Sequence, residues 1–273
     1  DFGQLRAYLG KGRNGQRSLE SLSGWVQRTR SLFKWAYESN LIDRPVKFGP
    51  DFKQPSREAK RKERNRRPPR IFTPDEIRRL IDAATVPMRA MILLGINAGF
   101  GNSDCAELPQ SAIDLKAGIV DFPRAKTGVE RRATLWPETV EALREAIASR
   151  PAPADKGDDG LVFITRHGRR WVRYTSTGNI NSVTREFEKL LAKAGIDRAG
   201  VSFYALRHTF ETVAGAAGDQ VAVDRIMGHI TPGISASYRH WLKDEAENER
   251  LRKVTGHVRA WLFSKPAKPS GKV

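Results

Sequence analysis

"SFYALRHTFETVAGAAG" (Ser202–Gly218) is the stretch on which the reading of this chain turns. Its apolar residues recur at helical spacing, yet it holds Arg207 and His208. A guanidinium inside an apolar helix is costly unless it meets an anion or a carboxylate. Taken alone, the stretch reads as a core helix whose Arg is held by an internal Asp or Glu. The next segment points elsewhere. "GHITPGISASYRHW" (Gly228–Trp241) places His229, Tyr238 and His240 close together around a break at Pro232 and Gly233. A core helix does not usually carry that break, nor so many hydroxyls and imidazoles.

Composition narrows the partners. The 273 residues hold 48 Lys and Arg against 31 Asp and Glu, a net charge of +17. Such an excess attracts a polyanion, of which nucleic acid is the commonest. Residues 1–70 hold 18 of the basic and 7 of the acidic residues. No strongly apolar face accompanies the basic run, so a membrane surface ranks second. No apolar run reaches the length of a membrane span, and nothing resembles a signal peptide. Cys105 is the only cysteine, which excludes an intrachain disulfide and a cysteine-based zinc cluster and fits a reducing cytoplasm. The first residue is Asp1 rather than Met, which reads as a piece of a longer protein.

The organisation is mainly α with a small antiparallel β-sheet. Leu22, Trp25, Val26, Leu32, Phe33, Trp35 and Ala36 lie at helical spacing and predict a small all-α unit over residues 1–56. "REAKRKERNRRPPR" (Arg57–Arg70), with eight basic residues, two acids and two prolines, reads as an extended basic linker. Arg61, Lys62, Arg64, Arg66 and Arg67 make it a candidate strap for a phosphate backbone. A second domain, residues 71–263, opens at a capping box formed by Thr73 and Glu76, with Pro74 at the first helical position. Met88–Gly99 is apolar nearly all round and reads as a buried helix. Ile119–Phe122, Arg132–Leu135 and Leu161–Thr165 are strand candidates, and Lys126 lies between the first two. From Asn179 to Phe263 the pattern is helical in several pieces, and residues 264–273 read as a disordered tail.

On these residues the chain resembles the tyrosine recombinase (phage integrase) family of DNA breaking and rejoining enzymes. That family has a His-x-x-Arg helix, a Leu-Gly-His turn, and a Tyr nine residues beyond that His; here the stretches are "YALRHTF", "IMGH" and "SYRHW". It also has a Lys in a β-hairpin, often within Lys-Thr-Gly, matched by Lys126-Thr127-Gly128. The resemblance implies a helical core-binding domain, N-terminally incomplete here, followed by an integrase-type catalytic domain. It implies double-stranded DNA as partner, self-association as a dimer or tetramer on DNA, action at the cytoplasmic nucleoid, and no metal or cofactor. Tyr238 becomes the expected nucleophile, giving a 3′-phosphotyrosine. Arg207 and His229 become phosphate ligands, Lys126 the general acid, and Tyr204 the residue at the family's first His position.

The chemistry suits these residue types. A phenol has a pKa of ~10 and becomes a useful nucleophile when nearby cations favour and orient its phenolate. A bidentate Arg suits the charge that develops on the non-bridging oxygens. One departure stands out. "AGFGNSDCAELP" (Ala98–Pro109) places Gly101 where the family has its first catalytic Arg, while Asp104 keeps the acidic position that follows. Two routes offset the loss: free N–H groups at a helix start capped by Asn102 or Ser103, or a cation from Arg131 or Arg132. The rival readings are a catalytically silent DNA-binding relative, a type IB topoisomerase-like enzyme, and a basic helical interaction protein.

Overall fold

The computed structural model describes residues 1–12, 15–176, 178–229 and 242–264. The chain forms two compact units, Asp1–Pro69 and Arg70–Val273.

In the first unit, α1 (Phe2–Gly10) starts at Asp1, whose carboxylate accepts from the Gly3 N–H at 2.7 Å. A two-stranded ribbon of β1 (Lys11–Gly12) and β2 (Gly15–Gln16) leads to α2 (Leu19–Glu38). The core is small: Leu22, Val26 and Phe52, with Phe2, Leu5, Leu9 and Phe48 against them. Of the apolar residues at helical spacing on α2, Trp25, Leu32 and Trp35 are exposed. The apolar face of α2 is wider than its neighbours cover, and Trp25 lies instead beside the guanidiniums of Arg17 and Arg28.

The expected extended linker is a helix over most of its length, α3 (Arg57–Asn65). Ser56 caps it, Glu58 sits in its first turn, and Lys62 and Arg64 in its last, all favourable to the helix dipole. Lys62 pairs with Glu58 at 2.6 Å and Arg67 with Glu63 at 2.9 Å, each four residues apart. Glu63 also accepts from the Leu19 N–H at 2.9 Å, fixing α3 to the start of α2. Pro68 and Pro69 then prevent the helix from continuing.

In the second unit, α4 (Pro74–Ala83) begins with the Thr73–Glu76 capping box, and α5 (Val86–Ala98) is buried nearly all round. After the short α6 (Asn102–Ala106) comes an antiparallel sheet, β3 (Ile113–Asp114), β4 (Ile119–Asp121) and β5 (Arg132–Thr134), in that order. Next come α7 (Pro137–Ala148), the hairpin of β6 (Val172–Thr175) and β7 (Gly178–Asn181), and four helices. These are α8 (Ser182–Lys193), α9 (Tyr204–Gly215), α10 (Gln220–Met227) and α11 (Glu245–Phe263). Asn97 ties α5 to the β5–α7 corner: it donates to the Thr134 carbonyl at 3.0 Å and accepts from the Trp136 N–H at 2.8 Å.

Leu161–Thr165 is buried but forms no strand; a single bridge joins Leu161 to Pro109. Its β-branched and aromatic residues fill the core without a neighbouring strand to pair with. The Asn179 end of the expected helical region is strand β7, and α8 starts only at Ser182. Helix α11 packs within its own chain through Leu251, Val254, Val258 and Leu262. Residues 265–273 lie outside the described residues.

Candidate active site

Arg207 lies in the first turn of α9, facing inward and only 2% exposed. No Asp or Glu forms an ion pair with it among the described residues. Its Nη1 donates to the Gly99 carbonyl at 2.6 Å and its Nη2 to the Met227 carbonyl at 2.7 Å. Both carbonyls stand at helix C-termini, where partial negative charge collects: Gly99 ends α5 and Met227 ends α10. The arginine is therefore oriented while its full charge stays uncancelled. Burial, then the charge of Arg124, pulls its pKa below the ordinary value, against the opposing effects of Tyr204, Asp104 and Glu211.

Those helix ends depend on two glycines. Gly99 has φ +64° and Gly228 has φ +62°, in the left-handed region. A Cβ on Gly99 would come 2.4 Å from Met227 Sδ, and one on Gly228 would come 3.2 Å from Arg124 Cβ and 3.4 Å from Arg131 Cβ. The turn at Gly228 sets His229 against Arg207, with Nη2 to Nε2 at 2.9 Å. A guanidinium only donates, so Nε2 accepts and Nδ1 holds the proton. Nδ1 lies 3.7 Å from Asp224 and 3.9 Å from Glu211.

Burial, then the charge of Arg207, lowers the His229 pKa from its ordinary value of about 6.5. Because the folded value lies below the unfolded one, the unfolded chain takes up this proton first on acidification. The neutral imidazole's contribution to stability is whole above about pH 6.5 and is lost as pH falls toward the lower folded value. We expect an NMR titration of His229 to show a midpoint below 6.5, and Arg207→Met to move it upward. An unmoved midpoint would show that Arg207 does not set the charge state of His229.

Arg131 and Arg132, the two candidate substitutes, are separated by strand alternation. Asp121 pairs with Arg132 in the β4–β5 register. Arg132 points toward α11, bonded to Asp121 at 2.9 Å and to Asn248 at 3.1 Å. It is buried and held by these two side chains. Arg131 faces the other way, between the carbonyl of Phe122, which accepts from its Nε at 3.0 Å, and the ring of Phe100, 3.8 Å beneath the guanidinium. Its Nη1 lies 3.3 Å from Asp104 Oδ2. Burial lowers its pKa, and Asp104 opposes that.

The helix start differs from the expected one in its cap. Gly101, not Asn102 or Ser103, is the N-cap of α6. Its N–H is taken by Asp104 Oδ2 at 2.7 Å.

Tyr204 opens α9, is 40% exposed, and stands beside Gly101, where a Cβ would meet Tyr204 Cε2 at 3.4 Å. Lys126 is exposed on the turn between β4 and β5, and makes no hydrogen bond or ion pair among the described residues. Arg124, on the same hairpin, belongs to no motif and is not among the residues that the sequence singles out. It packs on Gly228, and its charge bears on both Arg207 and His229. Its place two residues before Lys126 is the one signal the sequence offers. Tyr238 and His240 lie outside the described residues. The five cations on and just after α3, Arg61, Lys62, Arg64, Arg66 and Arg67, are all exposed, in the other compact unit.

No sequence motif marks a second basic surface. Arg166, Arg169, Arg173 and Lys189 line a groove of 820 Å³ that reaches Ser182 at the start of α8. Asn102 of α6 donates to Thr184 in the same turn of α8 at 3.0 Å. These cations are dispersed between Arg166 and Lys189, so no compact run announces them.

A family model described as the phage integrase family matches residues 70–245. The tyrosine recombinase XerD of Caulobacter vibrioides is 28% identical over 198 residues, covering 68% of this chain and 62% of that protein. The tyrosine recombinase XerC of Rhodospirillum centenum is 27% identical over 278 residues, covering 95% of this chain and 72% of that protein. Two solved structures share the fold. The XerH site-specific recombinase bound to a palindromic difH substrate, a post-cleavage complex, has a TM-score of 0.62 at 17% identity, covering 94% of this chain and 72% of that one. The Tn1549 transposon integrase in complex with circular intermediate DNA has a TM-score of 0.60 at 17% identity, covering 92% and 83%.

Proposed function

Because this chain belongs to the phage integrase family, we propose that it is a site-specific DNA recombinase that cuts and rejoins duplex DNA through a 3′-phosphotyrosine on Tyr238. The observation that carries the reading is Arg207: a guanidinium oriented by two helix-end carbonyls and His229, with no carboxylate paired to it among the described residues. Such a group is ready for a phosphate.

In this mechanism the Tyr238 phenol gives up its proton to solvent and its oxygen attacks phosphorus. The bond from phosphorus to the 5′-oxygen breaks, and Lys126 donates a proton to that leaving oxygen. Arg207 and His229 hold the non-bridging oxygens; the proton His229 has to give is the one on Nδ1. The new phosphotyrosine ester replaces the old phosphodiester, so rejoining is the same step reversed and needs no nucleotide cofactor. Tyr204, poor as a base near neutrality, serves as a hydroxyl donor. The chain acts as a dimer or tetramer on DNA, at the nucleoid. No helix among the described residues is long and apolar enough to cross a membrane. Incubation with nicked half-site DNA, followed by a denaturing gel, tests the reading: it requires a covalent protein–DNA adduct, and a chain that binds DNA but yields none is a silent relative.

The cations on and after α3 give the affinity term. Lys62 and Arg67 already hold carboxylates, whereas Arg61, Arg64 and Arg66 have no ion pair among the described residues. Neutralising all five should flatten the plot of log affinity against log salt by about 0.9 for each phosphate that no longer meets a cation. An unchanged slope would make α3 a solvated spacer.

A further inference from the structure

Arg131 is 0% exposed, and its Nη1 and Nη2 have no hydrogen-bond partner among the described residues. Only Nε is bonded, to the Phe122 carbonyl at 3.0 Å. The 3.3 Å approach to Asp104 is an ion pair off the hydrogen-bond line. Arg207 is buried nearby: it holds the carbonyls of Gly99 and Met227, while Arg131 lies over the next residue, Phe100, and packs its Cβ on the next, Gly228. Two guanidiniums thus share one interior region with one ion-paired carboxylate. Like charges taken out of water repel, and donors left unmet there are costly. A chain needing only something flat between Phe100 and Phe122 would do better with an apolar side chain. The arrangement is relieved by a bound anion.

Gly101 adjoins the Arg131 guanidinium through Asp104, whose Oδ2 accepts from the Gly101 N–H at 2.7 Å and lies 3.3 Å from Arg131 Nη1. Gly101 has no side chain, and a Cβ there would already stand 3.3 Å from Asp104 Oδ2 and 3.4 Å from Tyr204 Cε2. The carboxylate three residues on is present but has no arginine to receive from its own helix. It receives one from the hairpin instead.

We infer that Arg131 is a phosphate-binding residue of the cleavage site, supplying from the β4–β5 hairpin the cation that position 101 lacks, with the scissile phosphate as its ligand. This rests on the recombinase reading above. Asp104 is then a positioning residue, steering the guanidinium while leaving Nη1 and Nη2 without a hydrogen-bond partner among the described residues. Arg132 does not take the role, because its guanidinium is bonded to Asp121 and Asn248 on the opposite face of the strand.

The test uses the full chain and a half-site duplex selected from a random pool for binding to it. The duplex is made with an ordinary scissile phosphate and, separately, with an uncharged methylphosphonate there. Arg131→Met fills the space between the rings without charge, and Arg131→Lys restores one charge. Thermal melting and DNA affinity report whether each variant is folded. On the ordinary phosphate Arg131→Met should lose about 10²–10³-fold in single-turnover cleavage, and Arg131→Lys less. On the methylphosphonate, which has no charge to neutralise, most of that difference should vanish. Wild-type rates from a folded Arg131→Met, or an equal loss on both substrates, would overturn the assignment and leave the recombinase reading standing. A wild-type chain that binds both duplexes and forms no adduct would overturn both together.

Discussion

Tyr238→Phe should bind DNA with nearly unchanged affinity and form no covalent adduct. The substitution keeps the ring and removes one oxygen, the only nucleophile the reaction requires. The phenol has a pKa of ~10, so its reactivity depends on surrounding cations. Arg207 meets His229 just after Gly228, and the side-chain stems of Arg124 and Arg131 pack on Gly228 itself. Tyr238 follows nine residues after His229. A denaturing gel after incubation with nicked half-site DNA reads the outcome. An adduct of wild-type yield from the Phe variant would remove Tyr238 from the chemistry and require another nucleophile.

Arg207→Ala should have the second largest effect, of two separable kinds. Cleavage should fall by about 10²–10³-fold or more, the scale seen when one donor to a developing anion is removed. The fold should weaken as well, because the Gly99 and Met227 carbonyls each lose a donor, at about 1–3 kcal/mol for a buried polar group left unmet. Arg207→Lys distinguishes the two, since it keeps the charge but not the fork that reaches both carbonyls. Single-turnover cleavage, scaled to the folded fraction from a melting curve, should stay depressed in both variants. If cleavage merely follows the folded fraction, Arg207 is a structural arginine, and the phosphate role falls.

Much of this protein is legible in the sequence because it is written locally. The Thr73–Glu76 capping box and the left-handed stop at Gly99 depend on residues a few positions apart, and both stand as expected. The link between the Arg207 helix and the His229 turn is legible as spacing, and in the structure the two side chains meet at 2.9 Å. Misreadings arise where local signals compete. Charge and prolines mask α3, whose cap at Ser56 and paired acids outweigh them. Composition makes Leu161–Thr165 look like a strand, but a strand needs continuous pairing, and here pairing stops at the single Leu161–Pro109 bridge. Trp25, Leu32 and Trp35 have helical spacing, but spacing does not say how much surface the neighbours cover.

The sequence by itself determined the family pattern and the absence of an arginine at position 101. Only the tertiary structure decided which arginine comes near. Arg131 and Arg132 are adjacent and chemically identical, so no local rule separates them. The register that sets Asp121 opposite Arg132 turns one inward to Asp104 and Phe100 and the other toward Asn248 of α11. That register comes from packing a hairpin between elements distant in sequence, where a slip of one residue would exchange the two faces.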